Sequence, residues 1–200
     1  SEDFFESFGW DLTLTGAAAE IAPCRSVQAW YGLNKTEVDV RLADIVDLSA
    51  FDILAIMPAS KKNAAPYGDL LDSPEMPRLI QEAYADGKVV YATCGGVRVL
   101  AAADILAGKT VAGEESFAEE YAAAGATYLP GKVMPVIQGN LVTTVNGLYF
   151  QVEDAEAVAV ALEAALPADA DAPGEVQTLS YEVAERSTAW TRTYGGLSAE

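Results

Sequence analysis

The stretch KVVYATCGGVRVLAAADIL, residues 88–106, carries the pattern from which the fold of this 200-residue chain is predicted. It opens with the apolar run Lys88–Thr93, which is typical of a buried strand in a parallel sheet. The tripeptide Cys94–Gly96 follows at once, and Val97–Leu106 is predicted to be a helix. The stretch therefore predicts a strand, a sharp turn and a helix, with the cysteine at the turn.

Predicted strands and helices alternate along the rest of the chain. The further predicted strands are Trp10–Thr15, Val38–Leu42, Asp52–Met57, Thr110–Ala112, Ala126–Leu129, Val133–Ile137, Leu141–Val145 and Val176–Val183. The further predicted helices are Glu2–Phe8, Pro74–Asp86, Glu114–Ala124 and Asp154–Leu166, and the predicted loops are Ala17–Arg25 and Lys61–Asp72. A turn at Gln138–Asn140 predicts a hairpin. This alternation predicts an α/β fold, with a doubly wound, mostly parallel, flavodoxin-like sheet flanked by helices.

Ligands of such sheets bind at the carboxyl ends of the strands, which points to Pro58–Ser60 and to the elbow at Cys94. A side chain on the elbow is held out over the sheet edge. The N–H groups at the start of the next helix favour the thiolate, which is the reactive form. The N–H of Gly95 is placed to bind a developing oxyanion, and the glycines allow close approach of a ligand. A buried structural cysteine has the same local pattern, so the residues alone leave both interpretations open.

Charge and composition exclude several classes of function. The chain has 30 acidic and 12 basic residues, a net charge of −18 and no histidine. The lack of clustered basic residues argues against nucleic acid and anionic membranes as partners. The absence of histidine excludes imidazole-based catalysis and histidine-ligated zinc. The acidity fits either a solvated surface or a high-salt source, which composition does not distinguish.

The two cysteines, Cys24 and Cys94, do not have the spacing of zinc ligands, so we predict neither a metal site nor a cofactor. We expect reduced thiols, a cytoplasmic setting and a structural or subunit-contact role for Cys24. We also expect no transmembrane helix and no signal peptide, because the sequence has no apolar run or basic leader of the required kind.

The Cys94 elbow resembles that of the ThiJ/PfpI superfamily, whose fold is like that of class I glutamine amidotransferases. The elbow helix runs into Ala102–Val111, which is similar to the stretch that follows the elbow in that family. Four other stretches resemble the family in the same order: FGWDLTLTG (8–16), FDILAIMP (51–58), LIQEAYADGKVVYATC (79–94) and GNLVTTVNG (139–147). The resemblance covers residues 1–166, which we take as the domain. Residues 167–200 are predicted to be a linker and a C-terminal extension.

The resemblance implies that Cys94 is the reactive thiol of the family, and three departures accompany it. Glu114 stands where the family often has a histidine, and Ala59-Ser60 stands where Gly-Gly usually supplies a second oxyanion donor. We expect the family's first strand, with its carboxylic acid, to be missing before Trp10. The candidate catalytic residues are Cys94 and Glu114, and the candidate oxyanion and binding residues are Gly95, Gly96, Ala59 and Ser60.

Three functions remain open at this point. The first is a cysteine-dependent hydrolase or lyase that acts on a small carbonyl or amide compound. The second is a sensor that is oxidised at Cys94, and the third is a chaperone-like homo-oligomer that has lost the chemistry. A carboxylate within reach of Cys94 would favour the first two, and a closed apolar pocket would favour the third.

The resemblance also implies a homodimer or larger homo-oligomer. Without the family's first strand, the sheet beside Trp10–Thr15 would have a bare edge that must be covered. An upstream segment is the favoured cover, and the alternatives are Val176–Val183 folded back as a replacement strand and an element of a second subunit.

Overall fold

The computed structural model describes residues 9–21, 35–57, 70–131, 135–145, 152–166 and 176–178. In chain order, the strands are β1 (Thr15–Gly16), β2 (Glu20–Ile21), β3 (Thr36–Glu37), β4 (Val40–Arg41), β5 (Ile53–Ile56), β6 (Val89–Thr93), β7 (Thr110–Val111), β8 (Thr127–Tyr128), β9 (Val136–Gln138), β10 (Leu141–Thr144) and β11 (Val176–Thr178). The α-helices with both ends described are α1 (Glu75–Ala85), α2 (Val97–Ala102), α3 (Ala118–Ala123) and α4 (Val152–Ala165). Residues 70–72 are also helical, so the predicted loop Lys61–Asp72 is wrong at its last three residues.

A five-stranded sheet in the order β11-β9-β10-β6-β5 forms the centre of the described fold. The strands β5, β6 and β10 are parallel, with Ile56 opposite Ala92 and Thr144 opposite Thr93. The strand β9 runs antiparallel to β10, as the predicted hairpin requires, and Gly139 in its turn has φ +62°. The predicted α/β fold with a mostly parallel sheet is therefore confirmed.

Helices cover both faces of the central strand β6, all five residues of which are buried. Val90 and Ala92 point to one face and join a core that includes residues of α1 and α2. Val89 and Tyr91 point to the other face, where they pack with residues of α4. This alternation follows from the two-residue period of a strand and gives the doubly wound arrangement. It also places the carboxyl end of β6, and thus Cys94, between two well-packed layers.

The strand β5 differs from the prediction that Asp52–Met57 is buried on both faces. Ile56 is buried, but Ala55 is exposed and Leu54 is only half-buried. Among the described strands β5 lies at the edge of the sheet, with β6 as its neighbour. An apolar run therefore predicted the strand correctly but not its position in the sheet.

The predicted strand Trp10–Thr15 is wrong except for its last residue, which lies in β1. The backbone N–H of Leu14 donates to the carboxylate of Asp39 at 2.7 Å, and the N–H of Asp39 donates back to the Leu14 carbonyl at 2.9 Å. This side-chain contact holds the segment against the chain leading to β4, so parallel pairing begins only at Thr15. The predicted loop Ala17–Arg25 is also partly wrong, because β2 within it pairs antiparallel with β3.

Two helices begin or end differently from the prediction. The elbow helix was predicted as Val97–Leu106, but α2 ends at Ala102 because Asp104 adopts a left-handed backbone with φ +58°. The segment Glu115–Phe117 forms a 3₁₀ turn before α3 begins. The other described helices, α1 and α4, agree with the prediction to within about two residues.

The strand β11 lies within the predicted strand Val176–Val183 and pairs antiparallel with β9. It is therefore at the opposite end of the sheet from β5, and the alternative in which it replaces a strand beside Trp10–Thr15 is wrong. The domain boundary at residue 166 and the covering upstream segment stay predictions. Other expectations lie outside the described residues, namely those for Glu2–Phe8, Cys24, Pro58–Ser60, residues 61–69 and residues 167–174.

Candidate functional site

Cys94 occupies a strained turn between β6 and α2. The extended backbone of Thr93, with φ −128°, is followed directly by φ +54° at Cys94 and then by the 3₁₀ turn Cys94–Gly96. A residue with a Cβ atom rarely adopts such a positive φ, and the strain costs on the order of 1–3 kcal/mol. The predicted strand-turn-helix elbow is therefore present, and the half-buried Cys94 lies at its apex.

Gly96 lets the elbow lie directly against the end of β5. A Cβ atom at this position would be 2.7 Å from the carbonyl oxygen of Ile56 and 3.3 Å from its Cγ2. Both Gly95 and Gly96 are buried. Gly96 thus allows the elbow to meet the end of β5 at the carboxyl edge of the sheet, whereas close approach of a ligand stays a prediction. Ala59 and Ser60, which follow β5 in the chain, lie outside the described residues.

Glu114 lies beside Cys94, so the structure brings together the two candidate catalytic residues. The Cys94 Sγ donates to Glu114 Oε2 across 3.7 Å, and both residues are half-buried. The other carboxylate oxygen, Oε1, accepts from the backbone N–H of Ser116 at 3.3 Å. One carboxylate oxygen is therefore bound by the backbone of the turn that follows Glu114, and the other oxygen contacts the thiol.

The backbone groups of Ala112, Gly113 and Glu114 each form a hydrogen bond to a different part of the fold. The N–H of Ala112 donates to the hydroxyl of Thr143 on β10 at 3.0 Å. The carbonyl of Gly113 accepts from the hydroxyl of Tyr128 on β8 at 3.4 Å, and the N–H of Glu114 donates to the Cys94 carbonyl at 3.3 Å. The backbone of Glu114 is consequently fixed relative to the elbow.

Tyr121 on α3 is a residue of this site that sequence reasoning missed. Its side chain is fully buried, and its hydroxyl donates to the Cys94 carbonyl at 3.5 Å. Burial raises the pKa of Tyr121 well above its ordinary value, and the nearby negative charges of Cys94 and Glu114 raise it further. In the sequence, a tyrosine on a helix has the pattern of any core aromatic residue, so no signal distinguished it.

Arg98 links the elbow helix to α3. Its Nε lies 2.6 Å from Glu120 Oε2, and its guanidinium group lies 4.8 Å from the centroid of the Phe117 ring. Both contacts are at least partly exposed, so their contribution to stability is small. Their importance is geometric, since they hold the helix that follows Cys94 beside the helix that carries Tyr121.

Hydroxyl groups connect the carboxyl ends of β6 and β10. The Thr144 hydroxyl donates to that of Thr93 at 2.7 Å, and the Tyr91 hydroxyl lies 3.4 Å from Thr144 Oγ1. These three side chains are buried. Thr93 directly precedes Cys94, so this network anchors the strand end from which the elbow turns.

Metal and membrane sites were sought in the part of the chain that the structure describes. No group of three or more carboxylate or cysteine side chains there is arranged to hold a metal ion. No helix in the same ranges is both long and apolar enough to cross a membrane.

A family model described as the DJ-1/PfpI family matches residues 3–154. The chain belongs to the DJ-1/PfpI family. This confirms the ThiJ/PfpI resemblance that was carried by the elbow and the stretches around it. The matched region includes Cys94, Glu114, Tyr121 and every strand described above except β11.

Individual relatives agree with this membership. YraA of Bacillus subtilis (strain 168), a cysteine protease candidate by name, is 33% identical over 141 residues, which are 70% of this chain and 75% of YraA. Among solved DJ-1/PfpI structures, DJ-1beta of Drosophila melanogaster has a TM-score of 0.63 at 19% identity, covering 98% of this chain and 89% of its own.

A two-domain protein of Anabaena variabilis, with DJ-1/ThiJ/PfpI-like and ferritin-like domains, has a TM-score of 0.67 at 24% identity. The match covers 98% of this chain, which spans about half, 52%, of that larger protein. At these identities the structural likenesses establish the fold, whereas activity is a separate question.

Proposed function

We propose that this DJ-1/PfpI protein is a cysteine-dependent hydrolase or lyase that acts on a small carbonyl or amide compound. The observation that carries the proposal is the elbow thiol of Cys94 with the Glu114 carboxylate 3.7 Å away. A nucleophile next to a proton-accepting group, on a strained turn before a helix, is an arrangement that favours covalent catalysis.

In the proposed mechanism, Cys94 attacks the carbonyl carbon of the substrate as its thiolate. A bond forms between sulfur and carbon, the carbon–oxygen π bond breaks, and the negative charge moves to the substrate oxygen. The N–H of Gly95 is proposed to stabilise that charge, because the first N–H groups of a helix have no partner within it. Ala59 or Ser60 is proposed to supply a second donor.

Glu114 is proposed to take the thiol proton and to return it to the substrate oxygen or to a leaving amine. The chain has no histidine, and the Glu114 carboxylate is an acid–base group in contact with the thiol. A glutamate relays protons near neutral pH only where its surroundings raise its affinity for a proton. Glu114 is half-buried, and its carboxylate is in contact with the thiol.

The same contact supports oxidant sensing as a second candidate function. A peroxide would transfer one oxygen atom to the Cys94 thiolate, giving the sulfenate and releasing an alcohol or water. The chaperone-like alternative gains no support from the site, because the thiol faces a carboxylate rather than a closed apolar pocket. A homo-oligomer and a cytoplasmic setting stay predictions, and light scattering after size exclusion tests the first.

The test compares Cys94→Ser with Cys24→Ser as the matched control. Both are assayed against α-oxoaldehydes, glycated amino acids and simple amides. We expect turnover to disappear in Cys94→Ser and to persist in Cys24→Ser. Glu114→Gln should lower kcat by on the order of 10²–10⁴-fold, as expected for loss of general acid–base catalysis. Equal turnover by wild type and Cys94→Ser would refute an enzymatic role for this thiol.

Peroxide distinguishes the second candidate. A protein without turnover on any of these substrates, but with one or two added oxygen atoms on the Cys94 peptide at low peroxide, would be a sensor. The Cys24 peptide provides the internal control for indiscriminate oxidation.

A further inference from the structure

We infer that Tyr121 is a positioning residue for the Cys94–Glu114 pair. Its hydroxyl group holds the carbonyl of Cys94, and its ring confines the backbone immediately before Glu114. The inference rests on the proposed function, because it assigns Tyr121 a role in the geometry of that same pair. Tyr121 contacts the backbone of the elbow and is therefore not itself a catalytic residue.

The first step of the argument is that the Tyr121 ring has little freedom to move. The side chain is completely buried, and its ring packs 5.7 Å from the ring of Tyr128, centroid to centroid. Close-packed interiors resist the displacement of a large side chain. The ion pair between Arg98 and Glu120 further ties the helix of Tyr121 to the elbow helix.

The second step concerns Gly113, whose Cα lies against the tyrosine. A Cβ atom at position 113 would be 2.8 Å from the Tyr121 hydroxyl and 3.1 Å from two ring carbons. Only glycine therefore passes this point without displacing Tyr121. The carbonyl of Gly113 is held by Tyr128, so tyrosines restrict this residue at two points. Glu114 is the next residue, so its position depends on how Gly113 is held by the two tyrosines.

The third step concerns the carbonyl oxygen of Cys94, which accepts from the N–H groups of Val97 and Glu114 and from the hydroxyl of Tyr121. The N–H of Glu114 lies at 3.3 Å and the hydroxyl of Tyr121 at 3.5 Å. A residue at φ +54° keeps that conformation only when surrounding contacts over-determine it. Both contacts stabilise the elbow, and one of them also connects it to Glu114. Loss of the hydroxyl should therefore loosen the thiol and the carboxylate relative to each other.

The experiment is a double-mutant cycle read by the pH dependence of Cys94 alkylation. Iodoacetamide rates are measured on the intact chain by peptide mass spectrometry for wild type, Tyr121→Phe, Glu114→Gln and the double variant. In the otherwise wild-type protein, Glu114→Gln removes the carboxylate charge beside the thiol and should lower the pH midpoint of Cys94 alkylation by about one unit. In the Tyr121→Phe background, the same Glu114→Gln change should produce less than half of that shift, since the pair is no longer held together.

Tyr84→Phe is the matched control, because Tyr84 lies on α1 and the Lys109 ammonium group lies 5.4 Å from the centroid of its ring. The Glu114→Gln shift should be unchanged in its background. Gly113→Ala perturbs the same contact from the other side and should reduce the shift as Tyr121→Phe does. If Tyr121→Phe unfolds below the assay temperature, the shift measured in the Gly113→Ala background tests the positioning role instead.

Two results are kept distinct by this design. If the Glu114→Gln shift is the same in the wild-type and Tyr121→Phe backgrounds, the positioning role is overturned while the proposed function stands. If Cys94 in wild type is alkylated no faster than Cys24 at any pH, the proposed function itself fails.

Discussion

Gly96→Ala provides a sharp test of how closely the elbow lies against β5. The added Cβ atom would be 2.7 Å from the carbonyl oxygen of Ile56, about 0.7 Å closer than ordinary van der Waals contact. The atom that it meets belongs to the backbone of a paired strand, so the contact cannot be relieved by a rotamer change. The elbow or the end of β5 must move instead.

The expected cost of Gly96→Ala is about 2 kcal/mol, the middle of the range for overpacking a well-packed site. The backbone of Gly96 has φ −62° and ψ −26°, which alanine adopts without strain, so the clash alone determines the sign. Alanine gains nothing as the N-cap residue that begins α2. For a chain of this length the cost should lower Tm by about 4–8 °C.

The assay is a circular dichroism melt combined with iodoacetamide labelling of Cys94. Gly139→Ala is the control, because Gly139 has open space around it but a φ of +62°. It should cost about 1 kcal/mol through backbone strain and leave Cys94 labelling unchanged. Gly139 precedes the amino end of β10, whereas Cys94 follows the carboxyl end of the parallel strand β6. A Gly96→Ala protein with wild-type Tm and wild-type Cys94 labelling would refute the close approach described here.

Three further predictions concern the thiols, alkaline pH and salt. Cys94 should react with iodoacetamide faster than Cys24 because of its position before α2, and an equal or faster rate at Cys24 would contradict this. The raised pKa of Tyr121 means that the fold favours the neutral phenol. Its contribution to stability is complete below about pH 10 and is lost as the pH rises through the higher folded-state value. Urea midpoints should therefore fall less between pH 8 and pH 11 in Tyr121→Phe than in wild type, and an equal fall would be evidence against the shift. Molar KCl should raise Tm because it screens the self-repulsion of a chain with net charge −18, and a flat or falling Tm would argue against dominant repulsion.

The central strand and the elbow could be predicted because their signals are local. An apolar run followed by Cys94–Gly96 and a helical stretch specifies β6, the turn and α2 without information from elsewhere. Position 114 was found through the family resemblance, and the structure places its carboxylate beside the thiol. The strand pattern at Trp10–Thr15 failed because its partner, Asp39, lies about 25 residues away and bonds through a side chain.

The remaining misses have different causes. The early end of α2 accompanies the left-handed backbone of Asp104, a residue type that has low helix propensity and tolerates this conformation. Tyr121 was missed because a core tyrosine and a tyrosine of a site show the same sequence pattern, an aromatic residue on the buried side of a helix. Only the three-dimensional approach of α3 to the Cys94 carbonyl distinguishes the two.

The positive φ of Cys94 also has a consequence for when the elbow forms during folding. An unfolded or partly folded chain has no contacts that would hold this residue at +54°, so Cys94 relaxes there to an ordinary conformation. The N–H of Val97 provides one local contact to its carbonyl, and the other contacts come from Glu114 and Tyr121, 20 and 27 residues further along the chain. Such distant contacts form after local structure during folding. The elbow geometry that exposes the thiol therefore appears only when this part of the chain has been made and folded, which links the chemistry of Cys94 to the completion of the fold.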